Sequence, residues 1–397
     1  IGLPLTLQIA DDCYAAIMEA NIMDYAGMYL KPNNSLERFS IRSQLSPRFG
    51  QDENGDKVVF RFPQKTPWRV IMVGSTPGEL IESEIVMNLN DPCAIKDPSW
   101  IKPGISAWDH WWSGDVKMDN ETIKEYIDLA SKMGWPYQLI DWQWYGPFNT
   151  PESDITKPAQ QLNMPEILDY AKNKNVKCWL WLYWTDVDKT DWEKTCALYE
   201  SWGIAGVKID FMARDDQDMV NWYHRIVKTA AKYHLMVNFH GAYKPDGWRR
   251  TYPNLLTREG VLGNEYNKWS LRITPEHIVT VPFTRMLAGP MDFTPGAFLN
   301  RIPEKFSNEP ASPDEIVSLA NSVDQPSVRM ERKPVAQAMG TRAMQLAQFV
   351  VFDSPLIVAC DHPTNYKDQP GAEFLKEVKT VWDETRVLNG RIGEYIT

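Results

Sequence analysis

The sequence predicts an α/β chain built around a barrel of eight parallel strands, each followed by a helix, with a β-rich segment in front. Three observations carry that prediction. From about residue 104 onward, short apolar runs alternate with longer amphipathic ones over roughly 250 residues, the size and order of a (β/α)8 barrel. Most of the apolar runs end on or near polar groups: Asp109-His110, Asp141, Tyr183 to Asp186, Asp210, His240 and Arg258-Glu259. No Gly-rich phosphate loop follows the first run, which sets aside a doubly wound open sheet.

Residues 1–100 read as the C-terminal portion of a β-sandwich. The runs at 14–18, 58–62, 68–73 and 83–87 are short and rich in β-branched and aromatic residues. Turn-formers such as Asn33-Asn34-Ser35 and Asn54-Gly55-Asp56 separate them. Residues 101–385 carry the barrel. Its strands are expected at 106–110, 137–141, 177–183, 206–210 and 236–240, with shorter ones at 254–258 and 283–288 and a last one at 354–359. Helices are expected near 120–133, 164–174, 190–202, 215–233 and 334–348. Residues 386–397 read as the opening hairpin of a further β-domain.

Composition excludes several classes. A net charge of −10 argues against nucleic acid, whose phosphates require a basic surface. No apolar stretch is long enough to span a membrane. Cys13, Cys93, Cys178, Cys196 and Cys360 are widely spaced, without a metal-like cluster, and an odd count leaves at least one thiol unpaired within the chain. The chain opens at Ile1 without an initiating Met and without a signal peptide, so a processed or trimmed product is expected. Seventeen Trp and sixteen Tyr exceed what a core requires, and flat aromatic faces stack well on sugars.

The run Gly206-Val-Lys-Ile-Asp210 is the most informative. Its small and β-branched residues read as a buried strand that delivers Asp210 to the catalytic edge of the barrel. The competing reading is that Asp210 caps a helix starting near Asp215. Lys208 lies on the same face, two residues earlier, either in an ion pair or against a substrate hydroxyl. Downstream, Glu259 and Glu265 sit in an irregular, Gly-punctuated loop. Two carboxyl groups flanking one bond are what glycoside hydrolysis needs: a close pair makes one of them a nucleophile, and a wider pair leaves room for water. Two glutamates are equally suited to a hard cation such as Ca2+.

Together, Val207-Lys-Ile-Asp-Phe211, Val237-Asn-Phe-His-Gly241, Trp248-Arg-Arg-Thr-Tyr-Pro-Asn254 and Glu259 to Glu265 resemble glycoside hydrolase family 97. The segment Tyr14 to Leu30 resembles the part of that family's N-terminal super-sandwich that reaches the active site. The resemblance implies an α-glycosidase, secreted or periplasmic, with a catalytic (β/α)8 TIM barrel and bound Ca2+. Inverting members carry a Glu after the fifth-strand His, where this chain has Gly241. Retaining members use an Asp at the fourth strand's end, which maps to Asp210. The family acid/base maps to Glu265, and the calcium ligands to Glu19, Glu259 and Glu265. The expectation is therefore a retaining α-galactosidase acting on an oligosaccharide or other galactoside. Candidate substrate contacts are Lys208, Asp141, Asp109, His110, Trp112, Trp142 and His240, with Trp108, Trp111, Trp144 and Trp184 as further stacking platforms. The alternatives are an inverting calcium-dependent α-glucosidase and a catalytically silent carbohydrate-binding protein.

Overall fold

The computed structural model describes residues 1–33, 40–109, 117–268, 270–306 and 337–397. At the N-terminus, β1 (Leu5–Ala10), β2 (Cys13–Ala20) and β5 (Trp68–Gly74) form an antiparallel sheet with β2 at its centre. A hairpin of β3 (Met28–Pro32) and β4 (Ile41–Leu45) lies between them in sequence. Period-two alternation places Ala16, Met18 and Ala20 on one face, where they pack with Val70, Met72 and Leu80.

Two of the expected N-terminal strands do not form. The 58–62 segment joins no ladder; its Val59 amide and carbonyl pair instead with the Gln217 side chain at 2.8 and 2.9 Å. The 83–87 segment turns helical: α1 (Pro77–Ile81) starts at a Thr76 cap with Pro77 in its first turn, and α2 (Ile85–Asn88) follows at once.

The parallel sheet holds, in chain order, β6 (Gly104–Trp108), β7 (Tyr137–Ile140), β8 (Lys177–Tyr183), β9 (Gly206–Asp210), β10 (Met236–Phe239) and β11 (Leu255–Arg258). Each pairs with the next, and Leu356–Val358 pairs with β6 from the other side. This is a nearly closed barrel with seven strands among the described residues. The strand expected at 283–288 is instead two 3-10 turns, Val281–Phe283 and Arg285–Ala288. Pro282 has no N–H to give a ladder, and the Arg285 guanidinium binds the carbonyls of Arg258, Glu259, Gly260, Gly289 and Pro290.

The helices form where the sequence places them. α3 (Asn120–Met133) and α4 (Met164–Asn173) flank β7, the short α5 (Trp184–Asp188) follows β8, and α6 (Trp192–Trp202) and α7 (Gln217–Lys232) flank β9. In α3, Ile123, Tyr126, Ile127 and Ala130 recur at helical spacing and are fully buried against the sheet. Gly134 ends it in the left-handed conformation, φ 70°. The helix expected at 334–348 is observed at Arg342–Val351, started by a Thr341 cap. At the C-terminus Gly390–Arg391 and Tyr395–Ile396 make the expected hairpin. All five cysteines are free. Among the described residues no helix is long and apolar enough to cross a membrane.

Candidate active site

In a parallel barrel the carboxyl ends of all strands open on one face. Here that face collects Asp109, Asp141, Tyr183, Asp210, His240 and Glu259, each the last residue of β6 to β11 or the one just past it. Backbone pairing continues beyond the strands and fixes where these side chains start: His240 N donates to Ile209 O at 2.9 Å and Glu259 N to Phe239 O at 2.7 Å.

The helix-capping reading of Asp210 fails on geometry, because other residues cap the helices. Asp119 caps α3, Asn163 caps α4, and Asp216 caps α7 by accepting from Met219 N at 3.3 Å. Asp109, Asp141 and Asp210 are left to face the barrel mouth. Asp210 holds a donor on each oxygen: Trp181 Nε1 reaches Oδ2 at 3.1 Å and Phe211 N reaches Oδ1 at 2.7 Å. Burial raises its carboxyl above the ordinary aspartate range and Glu265 adds to the rise; His240, Lys208 and the Trp181 bond oppose it.

Lys208 projects from the same strand into the barrel and is buried. Its Nζ donates to Asp141 Oδ2 at 3.1 Å and lies 4.5 Å from the centre of the Trp108 ring, whose Nε1 donates to the same oxygen at 2.7 Å. Burial alone would lower the ammonium, but Asp141, Glu265, Asp210 and Asp292 together hold it above its usual value. Asp109 braces this pair, with Oδ1 accepting from Asp141 N at 3.1 Å and Oδ2 from Gln138 Nε2 at 3.1 Å. Burial, then the charge of Asp141, pushes the Asp109 carboxyl well above its ordinary range.

His240, Glu259 and Glu265 form a second buried group, with one possible ligand atom from each lying within 4.8 Å of the others. His240 Nδ1 is 3.5 Å from Glu265 Oε1 and 3.8 Å from Glu259 Oε2, while Nε2 is hydrogen-bonded to Asp292 Oδ2 at 2.7 Å. Burial would lower the imidazole and Glu259 raises it, together with Asp292 and Glu265, so it rests well above its usual range. Two carboxylates this close share the available charge unevenly. Burial raises Glu259 strongly, whereas His240 and Lys208 overcome burial at Glu265 and bring it to about 2. A 3-10 turn, Asn264–Lys268, presents Glu265, and it is pinned by Asn264 Nδ2 donating to Gln345 Oε1 at 2.8 Å.

The two facing carboxylates fit a hard divalent cation, which takes oxygen ligands, with the His240 imidazole oriented by Asp292 beside them. Glu19 lies outside that group. Its carboxylate accepts from Met28 N at 2.9 Å and Lys244 Nζ at 2.6 Å and pairs with Arg69. The three expected ligands are therefore not brought together, because two cations of the chain already engage the buried Glu19.

The N-terminal sheets hold the loops behind the site. Asp215, five residues past Asp210, accepts at Oδ1 from Tyr29 Oη at 3.0 Å and Ser46 Oγ at 2.5 Å. Past His240, Asp246 Oδ2 accepts from Ile22 N at 2.8 Å. Of the expected aromatic platforms, Trp108, Trp142 and Trp144 are buried, and Trp142 stacks on Phe148 at 5.8 Å. Trp184 packs edge-on against Trp222. His110, Trp111 and Trp112 lie outside the described residues. Sequence reasoning missed Trp181, Phe211, Asp215, Lys244 and Asp292. Trp181 lies within the expected strand 177–183 and Phe211 just past the strand 206–210, where an aromatic reads as core, and Asp292 lies in a loop with no periodicity to flag it.

The family model for the glycoside hydrolase 97 N-terminal domain matches residues 1–92, and that for glycoside hydrolase 97 matches 101–261. A retaining alpha-galactosidase from Bacteroides thetaiotaomicron is 35% identical over 417 aligned residues, covering 99% of this chain and 59% of that protein. A probable retaining alpha-galactosidase from Streptomyces bingchenggensis is 34% identical, covering 83% of this chain and 46% of that protein. Among solved structures, a family 97 enzyme from Pseudoalteromonas sp. strain K8 in complex with acarbose superposes with a TM-score of 0.81 at 31% identity, covering 99% of this chain and 60% of that one. The match thus spans roughly half to three fifths of the length of these relatives. It belongs to glycoside hydrolase family 97.

Proposed function

We propose that this chain hydrolyses terminal α-galactosides with retention of configuration. The observation that carries the reading is the pairing of Asp210 with Gly241. The strand-end carboxylate is oriented by two donors, and the place of an inverting enzyme's base is filled by a residue with no side chain. Asp210 attacks the anomeric carbon and forms a covalent glycosyl-enzyme, while Glu265 gives its proton to the departing oxygen; Glu265 then takes a proton from the water that releases the sugar. Lys208, Asp141 and Asp109 form a buried polar wall suited to sugar hydroxyls, with His240 behind the acid/base.

Calcium is part of the proposal, held by Glu259 and Glu265 beside His240. When bound, it would offset the mutual repulsion of the two carboxylates and polarise nearby oxygens. His240 and Lys208 hold the Glu265 carboxyl low, and the proton it gives is shared with Glu259, which is hydrogen-bonded to it and pushed well above its ordinary range. The kinship with enzymes named as retaining alpha-galactosidases supports galactose over glucose. A silent binding protein is disfavoured by the retention of both Asp210 and Glu265. A secreted or periplasmic location, expected from the family, belongs to the same proposal and is checked by fractionation. Turnover of aryl α-galactoside and α-glucoside tests the activity; hydrolysis of the glucoside alone would overturn it.

A further inference from the structure

We infer that Trp181 is a positioning residue for the nucleophile: its indole N–H fixes the rotation of the Asp210 carboxylate. The inference rests on the reading of Asp210 as nucleophile and adds a residue to it. Trp181 lies on β8, whose register pairs it with Lys208 and Tyr183 with Asp210, so its indole lies beside the acid rather than opposite it. It is 1% exposed and held on several sides. Tyr145 stacks on it at 6.2 Å and 17°, Phe148 meets it edge-on at 5.0 Å, and Trp142 and Phe211 meet it edge-on at 6.5 and 6.4 Å. Trp144 Nε1 ties down its carbonyl at 2.6 Å.

Trp108 and Trp222 give their indole N–H to Asp141 and Asp188, whereas several buried tryptophans give theirs to a backbone carbonyl. Trp135, Trp144 and Trp192 do so, with Leu375, Trp181 and Ile226. Trp181 gives its own to a catalytic carboxylate at 3.1 Å. The opposite oxygen is held by Phe211 N, and Phe211 has φ 70°, a left-handed conformation uncommon for a bulky residue. Stacking keeps it there: Phe211 lies on Tyr183 at 5.1 Å, and Tyr183 on Phe148 at 5.6 Å. One aromatic wall thus supports both donors, and with a donor on each oxygen the carboxylate plane cannot turn without breaking a bond.

Trp181→Phe keeps the ring and removes the donor. We expect kcat on an aryl α-galactoside to fall about 10- to 100-fold, the worth of one hydrogen bond to a charged group, with KM within about twofold. Trp192→Phe, which removes an N–H far from the acid, should leave kcat unchanged. A wild-type kcat in Trp181→Phe, or a change confined to KM, overturns the inference. If that variant does not fold, 15N-indole spectra of wild type and Asp210→Ala decide it: one indole resonance moves strongly if the bond exists, and none moves if it does not. Should Asp210→Ala itself keep full activity, the nucleophile reading fails independently of Trp181.

Discussion

Gly241 lies so close to Asp210 that a Cβ at that position would fall 3.2 Å from Asp210 Oδ1 and 2.7 Å from the Phe211 nitrogen. Gly241 also has φ 51°, where L side chains are strained. The nucleophile's loop and a side chain at 241 compete for one space. The obstacle is backbone, which cannot rotate away as a flexible side chain can.

Gly241→Glu therefore does not create an inverting enzyme. The left-handed backbone and the forced contact together should cost about 2–5 kcal/mol in urea unfolding, with loss of galactosidase turnover. A stable variant releasing the opposite anomer would contradict this.

Asp210→Ala should abolish turnover of an aryl α-galactoside. Azide can enter the vacated space from the face that Asp210 occupied, so turnover should return with β-galactosyl azide as product. Azide without effect would count against a nucleophilic Asp210.

Lys208→Met leaves Asp141 buried without its cation, a change that typically costs about 3–5 kcal/mol. Chemical denaturation should register that loss, and KM should rise if the same wall binds sugar hydroxyls. Unchanged stability would mean that the Lys208–Asp141 bond at 3.1 Å contributes little.

Asp215→Ala removes the acceptor shared by Tyr29 and Ser46 and uncouples the N-terminal sheets from the loop behind the nucleophile. Stranding the buried Ser46 hydroxyl and freeing that of the more exposed Tyr29 should cost about 1–3 kcal/mol. A fall in kcat alongside it would show that these sheets brace the catalytic loop.

Calcium should raise the melting temperature and EDTA should lower it. A ligand at a hundred times its Kd stabilises by about 2.7 kcal/mol. Glu259→Gln should erase the calcium response by removing one carboxylate of the cluster. An indifferent wild-type melting curve would exclude a bound calcium of that affinity.

The barrel was legible because burial leaves a strong periodic trace. Gly206–Asp210 and Lys177–Tyr183 appear where the sequence places them, and so does the amphipathic helix Asn120–Met133. Elements whose backbone partners come from elsewhere were not legible. Val59 is satisfied by Gln217, 158 positions away, and the carbonyls around Arg285 are bound by its guanidinium, so neither segment needs a ladder. The acids were readable as strand ends, but their partners were not. Nothing in the sequence couples Trp181 to Asp210, or diverts Glu19 to Lys244 at a separation of 225 positions. Those pairings exist only once the sheet has brought distant strands side by side.

Double displacement through Asp210 fixes the anomer that leaves the enzyme, and proton NMR of the first sugar released from an aryl α-galactoside reads it. Retention releases α-galactose first, with the β-anomer growing in only by mutarotation; β-galactose as the first product would contradict a nucleophilic Asp210.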